Sequence, residues 1–165
     1  MKKYLISSIL IATAPFVVFA DTGSESYPSS LYVAVTVVNN NPLSNQPITV
    51  SSDEGGGSSA IQFTTVEDES DKLMNYADNA ILKYQVTKTR SGYSNFNFGF
   101  IVSNGKDNCN YVVMGPPDKF SIDYVSTRAE PSSADFCKHL WRTTVVGGNT
   151  YSTTINYNAN TTGTR

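Results

Sequence analysis

Apolar and polar residues alternate along most of this chain with a period of two. At that spacing successive side chains of a β-strand face opposite sides of a sheet. Leu31, Val33, Val35 and Val37 share one face of a first strand, with Tyr32, Ala34 and Thr36 on the other. Asn39-Asn40-Asn41-Pro42 ends it, since Asn favours turns and Pro has no N–H to give to a ladder. Further strands are expected over residues 48–52, 60–66 and 82–87, the last burying Leu82, Tyr84 and Val86. Residues 53–59 (DEGGGSS) read as a mobile loop, because three consecutive glycines are costly to order.

The most regular strand places Phe96, Phe98, Phe100 and Val102 on one face and Asn95, Asn97 and Gly99 on the other. Asn104-Gly105 then predicts a hairpin with a strand over 108–114. Gly115-Pro116-Pro117-Asp118 makes another turn, followed by a strand carrying Phe120, Ile122 and Tyr124. Pro131-Ser132-Ser133 can start a single helical turn through Cys137, and strands over 140–146 and 151–157 flank the turn Gly147-Gly148-Asn149. In the second-last strand Trp141 shares a face with Thr143 and Val145 and reads as core. One segment breaks the period. Acidic residues Glu67, Asp68, Glu69 and Asp71 crowd the start of a segment in which Leu73, Ala77 and Ala80 recur at helical spacing, predicting a helix over 70–79. Eight or nine short strands with one short helix, and no repeating strand–helix unit, predict an all-β fold. It is mainly an antiparallel β-sandwich, with a closed β-barrel as the alternative.

The N-terminus departs from all of this. Met1-Lys2-Lys3 precedes an almost unbroken apolar run from Tyr4 to Phe19, and Val18-Phe19-Ala20 leads into Asp21. This is the pattern of a secretory signal peptide, and it is too short and wrongly flanked for a membrane span. The chain divides into a signal peptide over 1–20, a flexible lead-in over 21–30, a single domain over 31–157 and a loose tail over 158–165. Such a protein is secreted, to an extracellular or periplasmic destination, and the short two-lysine signal fits a bacterial source.

Removing Lys2 and Lys3 with the signal leaves ten basic residues against fourteen acidic ones, a net charge of −4. No basic cluster remains to neutralise phosphates, so nucleic acid is not an expected partner. Cys109 and Cys137, the only cysteines, are both exported and are expected to form one disulfide.

Candidate chemistry is sparse. There is no Gly-x-Ser-x-Gly elbow, and Cys137 and the sole histidine, His139, form a nucleophile pair only if the thiol is free. Ser103-Asn104-Gly105-Lys106 matches Ser-x-x-Lys, but it spans a hairpin turn and lacks the partner motifs. Asp123 and Glu130 are the carboxylates placed for glycoside hydrolysis, and both read as solvated surface groups. The acidic run at 67–71 lacks the spacing of an EF-hand. No catalytic residue, metal site or cofactor is expected.

The remaining lead is aromatic. Tyr93 lies in the small polar loop Arg90-Ser91-Gly92-Tyr93-Ser94-Asn95, where a large ring has little reason to be buried. Tyr93, Arg90 and Asn95 are therefore the expected ligand-binding residues. The alternation from Gly148 to Tyr157 resembles the last strand of secreted fimbrial subunits. Those chains end almost at that strand, whereas this one runs eight residues further, and no family is assigned. The sequence points to a monomeric, non-catalytic binding protein, effector-like or adhesin-like, that recognises an extracellular glycan, lipid head group or protein surface. A structural surface-assembly subunit and an extracellular hydrolase are the alternatives.

Overall fold

The computed structural model describes residues 30–42, 46–57, 60–89, 95–115, 122–130, 132 and 134–160. The expected signal peptide, nearly all of the lead-in, and positions 161–165 of the tail lie outside the described residues. Nine strands form two sheets: β1 (Ser30–Asn39), β2 (Thr49–Gly57), β3 (Ile61–Asp68), β4 (Asn79–Lys88), β5 (Phe96–Ser103), β6 (Asn108–Met114), β7 (Ser126–Ala129), β8 (Leu140–Gly147) and β9 (Thr150–Tyr157). One sheet has the order β3-β4-β1-β9-β8 and the other β2-β5-β6-β7. Both are open, so the fold is a sandwich and not a closed barrel. Every pairing is antiparallel except β1 with β9, which run parallel.

The core lies between the sheets, where the alternating positions of β1, β4, β5 and β9 meet. Phe96, Phe98 and Phe100 are each 1% exposed. Phe98 packs on Tyr84 at 4.6 Å between ring centroids, and Phe100 stacks on Tyr111 at 5.1 Å. Gly115 is required by this packing, because a Cβ there would come within 2.2 Å of the Phe96 ring. Gly148 opens the β8–β9 turn at φ 58°, the value for the first central residue of a type II′ hairpin.

Four expectations fail, each for a local reason. No helix forms over 70–79. Asp71 and Ala77 take φ of 63° and 67°, which a right-handed helix excludes. Side chains capture backbone groups there: the Asp68 carboxylate accepts from the Ser70 N–H, and Asp78 accepts from the Asn75 N–H. Met74 exchanges both backbone hydrogen bonds with Ile48 and is fully buried, while Leu73 points outward. The expected loop at 53–59 instead extends β2 to Gly57, with a bulge between Asp53 and Gly56. The strand expected from Phe120 to Tyr124 is a 3-10 turn at Ile122–Tyr124, and pairing begins only with β7. Trp141 lies on the outer face of β8, opposite Asn156, and is 37% exposed. A helical turn through Cys137 does form, as the 3-10 turn Asp135–His139.

Candidate functional site: a cleft between β7 and β8

Strands β7 and β8 end their respective sheets on the same flank of the sandwich, and the sheets part there. A cleft of about 500 Å³ lies between them, lined by Asn110, Tyr111, Arg128, Glu130, Ser132 and Arg142 together with both disulfide cysteines, Ala129 and Leu140. Cys109 on β6 and Cys137 in the 3-10 turn are bonded across it, with their Cα atoms 5.6 Å apart.

Tyr111 and Arg142 reach the cleft from the inner faces of their strands, and Arg128 and Glu130 flank it from the outer parity of the β7 edge. Tyr111 alternates with Cys109 and Val113 on the inner face of β6, its ring lying flat against Phe100. Burial pushes its hydroxyl up to about 12, with the nearby Arg142 charge pulling the other way. At any ordinary pH this hydroxyl is therefore a neutral donor and acceptor. Arg142 stands opposite Ile155, so it shares the inner parity of Leu140 and Val146, and its Nη1 donates to the Thr127 carbonyl. Thr127 in turn donates through Oγ1 to the Tyr151 hydroxyl at 3.2 Å, linking β7 to the opposite sheet. Arg128 projects from the outer parity of β7, opposite Val112, and its Nη2 lies 3.8 Å from Glu130 Oε1. The Glu130 N–H donates to the Asn110 carbonyl and so continues the β6–β7 ladder to the cleft rim.

The arrangement gathers hydrogen-bonding and charged groups around one opening. Two guanidinium groups supply planar, permanently charged donors, and Tyr111, Asn110 and Ser132 add neutral hydrogen-bonding groups. Glu130 is the one carboxylate among the described lining residues and is already ion-paired, so these residues form no acid–base carboxylate pair. Cys137 is bonded to Cys109, which removes the Cys137–His139 nucleophile. Among the described residues no group of three or more His, Cys, Asp and Glu is placed to hold a metal ion, and no helix is long and apolar enough to cross a membrane.

Of the residues singled out from the sequence, Arg90 and Tyr93 lie outside the described residues. Asn95 immediately precedes β5, at the end of the sandwich where β5 meets Met114. The cleft opens at the other end, beside Cys109 and Glu130, so Asn95 is not part of it. Asn95 Oδ1 is buried and without a hydrogen-bond partner among the described residues. The acidic run at 67–71 is bound up in local hydrogen bonds: burial opposes the charge on Asp68, but Ser70 and the Tyr84 hydroxyl outweigh it and hold its carboxyl low. Sequence reasoning missed Tyr111, Arg128 and Arg142. One signal was present: Arg142 falls at the same parity as Leu140 and Val146, a charge at a core position of its strand.

No protein-family model matches the chain, and no curated protein matches it. Among solved structures, IP-1A from Alcaligenes faecalis is similar with a TM-score of 0.46 and 12% sequence identity. The match covers 77% of this chain and 91% of that one. A likeness that distant carries no argument about what this chain does.

Proposed function

We propose that this chain is an exported, non-catalytic binding domain that holds an acidic glycan in the β7–β8 cleft. The observation that carries the reading is the pairing of Arg128 and Arg142 with the neutral Tyr111 hydroxyl around one concave opening, on a chain of net negative charge. Guanidinium groups recognise carboxylates bidentately, and sugar hydroxyls match neutral donors such as Tyr, Asn and Ser. Export is supported by the N-terminal pattern and by the disulfide, which persists in an oxidising compartment. A lipid head group or protein surface bearing the same acidic chemistry is the neighbouring reading within this class.

The test is a calorimetric binding panel of acidic and neutral oligosaccharides at low and high salt. Acidic members bind, more weakly as salt rises. Arg128→Ala and Tyr111→Phe, checked for folding, each weaken binding, the first by about tenfold or more. Binding indifferent to ligand charge and to both substitutions refutes the cleft. Loss of binding in Tyr93→Ala alone would move the site to the 90–95 segment. Cleavage of a bound oligosaccharide would replace the reading with a hydrolase.

A further inference from the structure

An edge strand presents unpaired N–H and C=O groups, and β-proteins blunt such edges with charge, bulges, proline or shortness. Three of the four edges of this sandwich are blunted. β3 carries Glu67 and Asp68 and a bulge between Thr65 and Glu67. β2 is bulged between Asp53 and Gly56, and β7 has only four residues, including Arg128. Among the described residues β8 is the least protected edge: its one such device is Arg142, a charge at inner parity that is engaged with the Thr127 carbonyl. It runs eight residues in continuous register with β9, contains no lysine, proline or acidic residue, and is exposed from Trp141 to Gly147. Val145 is 62% and Val146 50% exposed.

The hydrogen-bonding phase of β8 follows from its two ends. The Asn158 N–H donates to the His139 carbonyl, and the two-residue turn closes on the pair Gly147–Thr150. In an antiparallel ladder bonded pairs alternate with non-bonded ones. The odd residues of β8 therefore bond to β9, and the N–H and C=O groups of Arg142, Thr144 and Val146 point to the free edge.

We propose that two copies of this chain pair antiparallel through β8, centred on Thr143, as a closed two-fold dimer. In that register Arg142 and Thr144 of the partner subunit form the bonded pair. Thr143 meets its own copy across a non-bonded position, where side chains approach most closely. Trp141 meets Val145 of the partner subunit twice, an aromatic–β-branched pair of the kind that stabilises sheets, and no like charges stand opposite one another. On the inner face Leu140 meets Val146 of the partner subunit, which lies beside the mouth of the cleft. The sequence alone favours a monomer, because edge phase and exposure are not visible in it. The contact is isologous, so it consumes the least protected edge among the described residues of each copy and ends at two, whereas an assembly subunit needs a second open edge. The interface is one strand wide and belongs to the small, weakly associating class.

Sedimentation of the secreted protein from about 1 μM to 1 mM reads this directly, spanning the affinity expected of a small interface. A monomer–dimer equilibrium without larger species supports the proposal. Thr143→Lys sets two ammonium groups against each other on an exposed position and weakens the dimer by about tenfold or more. The register is read by cross-linking. Thr143→Cys forms a disulfide-linked dimer on oxidation, while Thr144→Cys, standing opposite Arg142, does not. A protein monomeric throughout overturns the proposal, and protected edge amides in that monomer would assign the edge to the chain's own terminal segment. Open-ended polymers, or equal cross-linking of both cysteine variants, also overturn it.

Discussion

The two flanks of the sandwich are closed by different means. On the β2/β3 flank, the connection between β3 and β4 folds across the gap onto the opposite sheet. The Asp71 N–H donates to the Val50 carbonyl at 2.7 Å, Met74 pairs with Ile48, and the Ser52 and Ser70 hydroxyls meet at 3.1 Å. Met74 and Ile48 are completely buried, and Phe63 meets Phe96 edge to face. On the β7/β8 flank the sheets part around the cleft. What joins them is the disulfide, the Thr127–Tyr151 hydrogen bond, the Arg142–Thr127 contact and Phe136, which is buried against Tyr157. Backbone pairing and apolar burial close one flank with no covalent help. The flank that keeps an opening and exposes polar groups has less area to bury, and a covalent link takes the place of the missing contacts.

Breaking the bridge gives the largest difference between the flanks. Replacing Cys109 and Cys137 together by alanine is expected to cost about 3 to 4 kcal/mol for a loop of this length. Denaturant titration measures the loss, and amide exchange should quicken in β7 and β8 while β2 and β3 keep their protection. Uniform acceleration in all nine strands would show that the two flanks are not held separately.

The reciprocal experiment is Met74→Ala, which empties a fully buried site on the closed flank and should cost about 3 kcal/mol. Exchange should then quicken first in β2 and in the 69–78 connection. A cost below about 1 kcal/mol would mean that the connection repacks and contributes little to closure.

A smaller effect comes from pH. Tyr111 on the open flank has its folded value raised from 10.0 to about 12, so the folded state resists its ionisation. The stabilisation from this group is complete below pH 10 and is lost as pH rises from 10 through 12, amounting to about 3 kcal/mol. Tyr84, on the closed side, is also raised by burial, so Tyr111→Phe should flatten only part of the alkaline slope. On the acid side both flanks contribute, since the Lys138 ammonium holds the Asp135 carboxyl low in the 3-10 turn beside the cleft. Asp68 is held low by Ser70 and Tyr84, and Glu69 by Lys72 and the Ile81 N–H. Their contribution is present above the ordinary carboxylate range and is lost as pH falls through their lowered values. A Tyr111→Phe variant with an unchanged alkaline profile would detach Tyr111 from the open flank's stability.

Much of the fold was legible because period-two alternation needs no knowledge of neighbours. The runs from Leu31 to Val37 and from Phe96 to Val102 each chose a buried face, and each is buried on that face. The segment from Ser70 to Asn79 was misread because helical spacing of Leu73, Ala77 and Ala80 coexists with Asp and Asn side chains that bond the backbone more readily outside a helix. Trp141 was misread because alternation assigns two faces and does not say which is covered. The cleft stayed hidden for a related reason: Tyr111, Arg128 and Arg142 are separated in sequence and meet only where the two sheets end.

The sequence by itself determined the class of fold, the inward Phe stripe, the hairpins at Asn104-Gly105 and Gly148, and the two cysteines available for a bridge. These rest on local geometry, on the two-residue repeat of a strand and on the turn residues that end it. Tertiary structure alone decided that β1 and β9 run parallel, that β8 and β7 end their sheets on one flank, and that a cleft opens between them. Strand order is a matter of which apolar faces cover each other across the whole chain, and no stretch of neighbouring residues contains that information.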